Sequence, residues 1–328
     1  MRFAVSVVVP TFRRPALLTR CVERLLAQRV QADEFEVIVV DDGHDDATRE
    51  AVDALRAGTA VQLIYLRPAQ GRGPAVARNA GWRAARAPVI AFTDDDTLPE
   101  PDWLRHGLGA LARQPRWSGL CGRVVVPLAP PWPRRPTDHE LMTLGLETAE
   151  FVTANAFVRR SALERVDGFD ERFTRAWRED SDLQFRLLRD VGPVGRADDA
   201  VVQHPARPER WGVCLRQQRN SFFEALLYKK HPALYRARID AEPPWRYYAI
   251  VLCSAFALLL VPAGWPKAAG AAGAIALLLV GGLAWQRLRA TSRAPAHVWE
   301  MLVTSALIPF LSIYWRLRGA WRFRVAFF

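Results

Sequence analysis

Cysteine is scarce in this chain of 328 residues, and its four cysteines lie far apart. Cys21, Cys121, Cys214 and Cys253 match no metal-ligand spacing. This scarcity excludes a disulfide-stapled scaffold and favours a reducing compartment. We also expect no cleavable leader, because the opening stretch MRFAVSVVVP is short and ends in proline. We therefore expect the N-terminal domain to stay in the cytosol.

Acidic residues are scarce only in the C-terminal part of the chain. Residues 1–204 hold 28 basic and 29 acidic side chains, residues 205–240 hold 8 and 3, and residues 286–328 hold 7 and 1. The formal net charge of +11 therefore comes from two blocks that flank a very apolar region. Their position favours anionic lipid head groups over a nucleic-acid backbone as the binding partner.

The first hundred residues alternate between strand-like and helix-like segments. Strands are predicted at 5–10, 36–43, 61–67 and 88–92, and helices at 15–28, 45–57 and 73–87. This order predicts a parallel sheet with right-handed crossovers. Ligands of such sheets bind beyond the carboxyl ends of the strands, so we expect the functional site there.

The following hundred residues are less regular. We predict a helix near 101–113, a strand near 120–126, ordered structure again from 153, a short helix from 161, a helix at 181–190 and a strand at 200–205. The intervening stretch PLAPPWPRRPTDHE (127–140) contains five prolines, which argues against regular structure. We expect it to form a mobile loop over the site.

Three adjacent aspartates follow the fourth predicted strand, in the stretch FTDDDT (92–97). Adjacent carboxylates at a strand end repel one another unless a cation meets them. An extended backbone would point Asp94 and Asp96 to one side and Asp95 to the other. Carboxylate oxygens suit Mg²⁺ or Mn²⁺, and Mg²⁺ held in this way usually also binds substrate phosphates. A turn with a helix cap is the simpler alternative, but it would use only one of the three acids.

A second acidic cluster lies in WREDSDL (177–183), where Glu179, Asp180 and Asp182 precede a predicted helix. A helix dipole stabilises such acids, so capping is an alternative to a chemical role. A transferase that moves an electrophilic carbon to a hydroxyl group needs a carboxylate as general base. This cluster is the candidate for that base.

The C-terminal region contains three long apolar stretches. Residues 247–265 and 268–285 are each long enough to span a bilayer, and only a few residues separate them. A third stretch, 298–315, contains Glu300 and Pro309 and precedes a basic tail. Because three spans would place this tail opposite to the positive-inside tendency, we predict a two-helix hairpin and a re-entrant or interfacial helix. Burial of all three in a soluble core is the less favoured alternative.

The chain resembles a family 2 glycosyltransferase of the GT-A fold, of the membrane-anchored bacterial type. The motifs that carry this resemblance occur in the family's order over about residues 3–205: VSVVVPTFRRP, VIVVDDG, GPAVARNAGWRAA, VIAFTDDDTLPEPDWL, NAFVRRSALERVDGFDERF and REDSDLQFRL. The resemblance implies a Rossmann-like α/β domain with a mixed, mainly parallel sheet flanked by helices. We expect this catalytic domain at 1–210, an amphipathic interfacial region at 211–244 and membrane helices at 245–328.

The resemblance also implies roles for individual residues. Thr11, Asp41 and Asp42 match positions that hold the base and ribose of a nucleotide-sugar, and Arg78 matches a donor-contacting basic position. Asp94 and Asp96 match the acids of the DXD motif, which bind ribose and the metal, with Asp95 between them. Asp180 matches the general base, Glu179 its partner acid, and His204 a further metal ligand.

One motif departs from the family's pattern. Membrane polysaccharide synthases of this family carry a QxxRW-type motif, whose tryptophan supports the growing chain. Here RQQRNS (216–221) has Asn220 in place of the tryptophan, although Arg219 could still neutralise the leaving group. The departure argues against processive extrusion of a polymer.

Together these features imply an inverting, metal-dependent glycosyltransferase. It would move a sugar from a nucleotide-sugar, UDP-linked by preference, to a lipid-linked or cell-envelope acceptor, at the cytosolic face of the inner membrane. A phosphatase of the haloacid-dehalogenase type is disfavoured, because its aspartates follow the first strand. A catalytically inactive, membrane-anchored protein that binds sugar nucleotides remains the alternative.

Overall fold

The computed structural model of the chain describes residues 3–69, 73–128 and 134–328. The chain forms two compact units. The first comprises Met1–Pro127 and Leu144–Ala206, and the second comprises Leu128–Thr143 and Arg207–Phe328. The division after Ala206 lies within a few residues of the predicted end of the catalytic domain.

The first half of the first unit is the predicted run of alternating strands and helices. Its elements are β1 (Val5–Thr11), α1 (Pro15–Leu26), β2 (Phe35–Asp41), α2 (Asp46–Ala57), β3 (Gln62–Leu66), α3 (Pro74–Ala84) and β4 (Val89–Phe92). All four strands are parallel, in the order β3-β2-β1-β4. Residues of β1 and β2 are buried on both faces of the sheet, which explains their continuous β-branched runs.

The second half of this unit extends the sheet with antiparallel pairings. The elements that follow along the chain are β5 (Leu98–Pro99), α4 (Trp103–Arg113), β6 (Gly119–Val125), α5 (Asp138–Leu144), β7 (Ala156–Arg159), α6 (Arg160–Val166), α7 (Glu179–Asp190) and β8 (Val194–Gln203). The complete order is β3-β2-β1-β4-β7-β6-β8-β5. Strand β7 is antiparallel to β4 and β6, and β5 is antiparallel to β8. The sheet is therefore mixed, as predicted.

Apolar residues fill both faces of the sheet. On one face Trp103 of α4 packs on Phe157 of β7, with ring centroids 4.9 Å apart. On the other face Phe92 of β4 packs edge-on against Phe169 at 5.3 Å. The helices thus cover both faces of the sheet, and the strand ends remain for polar groups.

An ion pair between a buried carboxylate and a half-exposed arginine lies near the amino ends of the strands, away from the predicted site. Glu36 of β2 is fully buried and accepts hydrogen bonds from the Ser6 hydroxyl (2.6 Å) and the Arg86 amide (2.8 Å). The Arg86 guanidinium donates to the same carboxylate through Nε (2.9 Å) and Nη2 (2.5 Å). Every lone-pair direction of this carboxylate is therefore used within the fold.

Part of the proline-rich stretch departs from its predicted structure. Residues 129–133 lie outside the described residues, but Asp138–Leu144 form α5. Its start is a capping box, in which the Thr137 amide donates to Glu140 (2.7 Å) and the Glu140 amide donates to the Thr137 hydroxyl (3.2 Å). The expectation that this stretch lacks regular structure is therefore wrong for its last residues, and α5 belongs to the second unit except for Leu144.

Helices make up the second unit. After α5 they are α8 (Val213–Gln217), a 3₁₀ turn (Gln218–Asn220), α9 (Ser221–Lys230), α10 (Pro232–Arg238), α11 (Trp245–Leu260), α12 (Pro266–Ala290) and α13 (Pro295–Phe323). By length and composition, α12 and α13 could each cross a membrane, whereas α11 is an apolar helix of 16 residues. The third apolar stretch is one helix of 29 residues that continues through Pro309.

Both ends of α13 are hydrogen-bonded to the chain around α8 and α9. Near its start, Glu300 accepts a hydrogen bond from the Gly212 amide at 2.7 Å. At its end, the Phe323 carbonyl accepts one from Lys229 Nζ at 2.6 Å. Between them, Gly319 lies so close to the Phe222 backbone that no larger residue would fit without a shift. Helix α13 therefore runs beside α8 and α9 over most of its length.

An arginine joins three helices of the second unit. Arg287 of α12 donates to both carboxylate oxygens of Asp138 in α5, at 2.7 and 3.3 Å. It also donates to the hydroxyls of Thr304 and Ser305 in α13, each at 2.9 Å. Close by, the Ser292 amide donates to the Pro136 carbonyl at 2.8 Å. These bonds fix the segment before α5 onto the turn between α12 and α13.

Candidate active site

Polar side chains gather at the carboxyl ends of three neighbouring strands. Thr11 ends β1, Asp41 ends β2, and Asp94 comes two residues after the end of β4. Because β2, β1 and β4 are adjacent and parallel, these ends share one edge of the sheet. This is the edge at which open α/β sheets bind their ligands.

Asp94, Asp96 and His204 each offer a ligand atom at this edge, and these atoms lie within 4.8 Å of one another. Antiparallel pairing of Leu98 with Gln203 brings the flanking residues Asp96 and His204 together. The His204 Nε2 atom is 3.4 Å from Asp96 Oδ1, and its buried Nδ1 atom has no hydrogen-bond partner among the described residues. Two carboxylates and an imidazole are a donor set that suits Mn²⁺ and accommodates Mg²⁺. The residues present therefore fit such an ion.

Asp95 points elsewhere and is 4% exposed. Its carboxylate accepts a hydrogen bond from the Thr11 hydroxyl at 2.7 Å and pairs with Arg14 at 3.3 Å. Burial, followed by the neighbouring charge of Asp96, raises the pKa of Asp95 to about 6, against the opposing effects of Arg14 and Thr11. Asp95 thus ties the turn after β4 to the end of β1.

Arg78 of α3 joins the two acidic clusters. It is 3% exposed, and it donates through Nη2 to Asp94 (2.8 Å) and through Nη1 to Glu179 (3.0 Å). Its guanidinium carbon lies 5.8 Å from the centre of the Phe169 ring, and its Nε atom has no partner within the described ranges. The neighbouring carboxylates of Asp94, Asp180 and Glu179 raise the pKa of Arg78 against its burial, so it remains charged.

The acid pair lies in the first turn of α7, which begins two residues earlier than predicted. Arg178, just before the helix, has a φ of 72°, a left-handed conformation that the sequence pattern does not reveal. Asp180 accepts hydrogen bonds from the amide (3.0 Å) and the hydroxyl (2.8 Å) of Thr153. Burial raises the pKa of both acids, and Arg78 opposes this effect. Glu179 is 2% exposed, and its Oε2 atom has no partner in the part of the chain that the structure describes.

The two acids after β2 differ in what they already bind. The carboxylate of Asp41 is fully buried and shapes the turn, because it accepts from the Gly43 amide (2.9 Å), the Asp45 amide (2.7 Å) and the Tyr65 hydroxyl (2.6 Å). Asp42 accepts one hydrogen bond from the Gly73 amide (2.8 Å), and its buried Oδ1 atom has no partner among the described residues. Asp42 therefore has more capacity left for a ligand.

Ten of the eleven predicted site residues lie in the first unit: Thr11, Asp41, Asp42, Arg78, Asp94, Asp95, Asp96, Glu179, Asp180 and His204. Arg219 lies in the 3₁₀ turn of the second unit, where its guanidinium carbon is 5.8 Å from the centre of the Trp315 ring. An aromatic ring therefore stands beside Arg219, although position 220 is asparagine.

Sequence reasoning missed two residues at this site. Arg14 pairs with Asp95, and it also lies 3.7 Å from Asp96. Thr153 holds Asp180 from 27 residues away along the chain. Arg14 could have been found as a basic residue in the turn after the first strand. No local signal marks Thr153.

Family models match most of this chain. The model of glycosyl transferase family 2 matches residues 6–167, and that of glycosyl transferase family group 2 matches residues 89–315. The second match alone covers more than half of the chain, and it extends from the start of β4 into α13.

Curated relatives are similar over part of the chain. A validoxylamine A glucosyltransferase of Streptomyces hygroscopicus subsp. jinggangensis is 31% identical over an alignment of 214 residues. That alignment covers 56% of this chain and 50% of that protein. The glycosyltransferase AglE of Haloferax volcanii is 27% identical over 224 residues, 65% of this chain and 70% of its own length. The chain thus spans about half the length of the first of these relatives.

A solved structure shares the fold. The mannosyltransferase PcManGT from Pyrobaculum calidifontis, determined in complex with GDP-Man and Mn²⁺, aligns over 98% of this chain and 88% of its own chain. The TM-score is 0.62 at 22% sequence identity, so the likeness concerns the fold alone. With its mixed GT-A sheet, its acids at the strand ends and the two family matches, this chain belongs to the family 2 glycosyltransferases.

Proposed function

We propose that the protein is an inverting glycosyltransferase that moves a sugar from a nucleotide-sugar to a lipid-linked or cell-envelope acceptor. The observation that carries this proposal is the convergence of Asp94, Asp96 and His204 on one side of Arg78, with Glu179 and Asp180 on its other side. A charged arginine between two acid clusters suits a reaction in which negative charge develops on a leaving diphosphate.

Asp94, Asp96 and His204 would hold a divalent ion, Mn²⁺ or Mg²⁺. When bound, such an ion supplies charge neutralisation for a diphosphate leaving group. Thr11, Asp41 and Asp42 would contact the base and ribose of the donor, a role for which Asp42 retains an unpartnered oxygen in the described structure. We favour a UDP-sugar, and the relatives' glucosyl and mannosyl names support a hexose.

Asp180 would act as the general base. In a single displacement, the acceptor oxygen forms a bond to the anomeric carbon while the bond from that carbon to the diphosphate breaks. The proton of the acceptor hydroxyl passes to the Asp180 carboxylate, and the anomeric configuration inverts. Arg219 would neutralise the departing nucleoside diphosphate. Glu179, paired with Arg78, keeps that arginine in place beside Asp94.

The second unit supports our proposal of a membrane setting. Helices α11 and α12 form a hairpin, because the Arg246 guanidinium donates to Gln286 at 2.6 Å and only Val261–Trp265 separates the two helices. Large apolar side chains are exposed along it, including Leu258 and Leu278 at 76% each. A soluble surface does not carry such a patch, so we place this hairpin in the bilayer.

Helix α13 would lie at the membrane surface, although it is long enough to span. It is tied at both ends to the chain from Gly212 to Lys229. That neighbouring segment carries Arg216, Arg219 and Lys229, and Lys230 follows it directly. Each such charge costs about 2.5–3.5 kcal/mol at the centre of a bilayer. We therefore propose that α13 stays on the side of the catalytic unit, at the cytosolic face of the inner membrane.

An activity assay tests the catalytic proposal. The detergent-solubilised full chain is incubated with UDP-, GDP- and dTDP-sugars in turn, with Mn²⁺ and a bacterial polar lipid extract, and released nucleoside diphosphate is measured. We expect release from one donor class, dependent on Mn²⁺ and lost in Asp96→Asn and Asp180→Asn. Donor binding without turnover in the wild type would instead support the inactive sugar-nucleotide-binding alternative.

Labelling in sealed vesicles tests the membrane proposal. Single cysteines replace Lys267 at the hairpin turn, Ala326 after α13, and the exposed Ala57 of α2 as a reference, in a Cys253→Ala background. An impermeant maleimide should label positions 326 and 57 from the same side and position 267 only from the other. Labelling of position 326 together with 267 would show that α13 crosses.

A further inference from the structure

Thr153 makes two hydrogen bonds to one carboxylate at the centre of the site. It is fully buried and begins a 3₁₀ turn (Thr153–Asn155) that leads into β7. Its amide donates to Asp180 Oδ2 at 3.0 Å, and its hydroxyl donates to Asp180 Oδ1 at 2.8 Å. Each oxygen of this carboxylate is thus held by a different donor of the same residue, which fixes the plane of the group.

Within the described ranges, the charged neighbours Arg78, Glu179 and Asp94 act on Asp180 differently. Arg78 acts on it through charge, while the Arg78 guanidinium donates hydrogen bonds to Asp94 and Glu179. Glu179 and Asp94 repel the Asp180 carboxylate. The Cys121 thiol also lies near it, because the charge of Asp180 contributes to the raised pKa of that thiol. Thr153 therefore both orients Asp180 and stabilises its charged form against two like charges.

The two hydrogen bonds from Thr153 are well suited to positioning the Asp180 carboxylate. Hydrogen bonds from Thr153 occupy one lone pair on each oxygen and leave the others free for a proton. The backbone donor lies at the start of a 3₁₀ turn directly ahead of a sheet strand, a rigid part of the fold. A base held in this way meets an incoming hydroxyl without first having to rotate.

We propose that Thr153 is the positioning residue for the general base, and that its hydroxyl holds the Asp180 carboxylate in the orientation that accepts the proton of the sugar acceptor. This inference rests on the proposed function of Asp180. Thr153 itself touches neither the sugar nor the diphosphate in this scheme.

Two substitutions separate the hydroxyl from the rest of the residue. Thr153→Val keeps the shape and the backbone donor but removes the hydroxyl, whereas Thr153→Ser keeps the hydroxyl and removes the methyl group. A matched control exists at Thr48 of α2, which is fully buried and donates through its amide (3.2 Å) and hydroxyl (2.8 Å) to Asp45. Thr48→Val therefore removes an equivalent hydroxyl–carboxylate bond outside the site.

The experiment measures kcat, KM for the donor and the pH profile of kcat, using nucleoside diphosphate release by the full chain. Thr153→Val should lower kcat about tenfold or more, within the range that general bases contribute, with little change in donor KM. It should also move the acid limb of the profile up by about one pH unit, because a hydrogen bond to the charged form has been lost. Thr153→Ser should restore most of both properties, and Thr48→Val should match the wild type in kcat and profile.

Thermal unfolding and Asp180→Asn complete the test. If Thr153→Val and Thr48→Val lose similar stability but only the first loses kcat and shifts the profile, the proposal stands. If Thr153→Val matches Thr48→Val in kcat and profile while Asp180→Asn is inactive, Thr153 has no positioning role, although the base assignment survives. If Asp180→Asn retains transfer, the base assignment itself fails, and this inference fails with it.

Discussion

Two arginines of the chain's third helix test how the site is held together. Arg78 and Arg83 both belong to α3, and each bridges two acids. The side chain of Arg78 is 4% exposed and that of its partner Glu179 is 3%, whereas Arg83 is 47% exposed. Replacing each arginine by methionine therefore compares a buried bridge with a solvated one of similar connectivity.

The two substitutions should differ severalfold in the free energy of unfolding that is lost. Arg78→Met leaves Asp94 and Glu179 without their shared cation, and breaking a buried pair of this kind costs about 3–5 kcal/mol. Arg83→Met removes exposed pairs, which contribute about 0–1 kcal/mol. For a unit of this size the first change corresponds to a fall in Tm of roughly 6–20 °C, and the second to a few degrees at most.

The measurement is thermal unfolding of the full chain in detergent, followed through the fluorescence of tryptophan. Trp82 and Trp103 are buried in the first unit and report on its unfolding. In a double-mutant cycle, Glu179→Gln should be less harmful in the Arg78→Met background, with a coupling on the order of 2 kcal/mol. Equal losses for Arg78→Met and Arg83→Met, or no coupling, would refute the view that Arg78 is the electrostatic bridge of the site.

Three further predictions concern the metal ligands, the middle aspartate and the distant ion pair. Asp96→Asn and His204→Ala should each weaken Mn²⁺ binding, followed by electron paramagnetic resonance, about tenfold or more, whereas His106→Ala should not. Unchanged binding in both ligand variants would disprove the assignment. In EDTA, wild type should gain about 1–1.5 kcal/mol of stability over Asp95→Asn between pH 7.5 and pH 5, because the raised pKa of Asp95, about 6, makes the folded state bind the proton more tightly than the unfolded chain. Parallel pH–stability curves would contradict that reasoning. Glu36→Gln should lower the free energy of unfolding, measured by calorimetry, by about 2–3 kcal/mol, because it disrupts charged hydrogen bonds to Arg86. The kcat should stay unchanged. A kcat loss at equal folded fraction would show that this distant pair affects the site.

The regular elements of the first unit could be predicted because their signals are local. The β-branched runs of β1 and β2 and the helical spacing of α1 each come from neighbouring residues. Strand β5 could not be predicted, because two residues give no periodicity and its pairing with β8 is set by tertiary structure. Helix α5 did have a readable signal, the capping box Thr137–Glu140, which the surrounding prolines obscured.

The sequence indicated candidate site residues, but not the contacts among them. Strand-end position and family resemblance pointed to Asp94, Asp96 and Asp180. The bond from Arg78 to Glu179 joins positions 101 apart in sequence, and no local pattern indicates such a pairing. The left-handed Arg178 likewise moved the start of α7, because a single residue's φ depends on its surroundings more than on its type.

Residues 128–143 belong to the second unit although they interrupt the first in sequence, and this limits how the protein can be truncated or joined to a relative. The chain leaves the first unit after Pro127, returns at Leu144 and leaves again after Ala206, so the boundary between units is crossed three times. A protein truncated after Ala206 would keep Asp138 but lose its partner Arg287, and would keep Pro136 but lose the Ser292 amide. Replacing the C-terminal helices by those of a relative would require exchanging residues 128–143 as well. A single cut therefore cannot release the first unit, and a chimaera needs two matched crossover points within that unit and one after it.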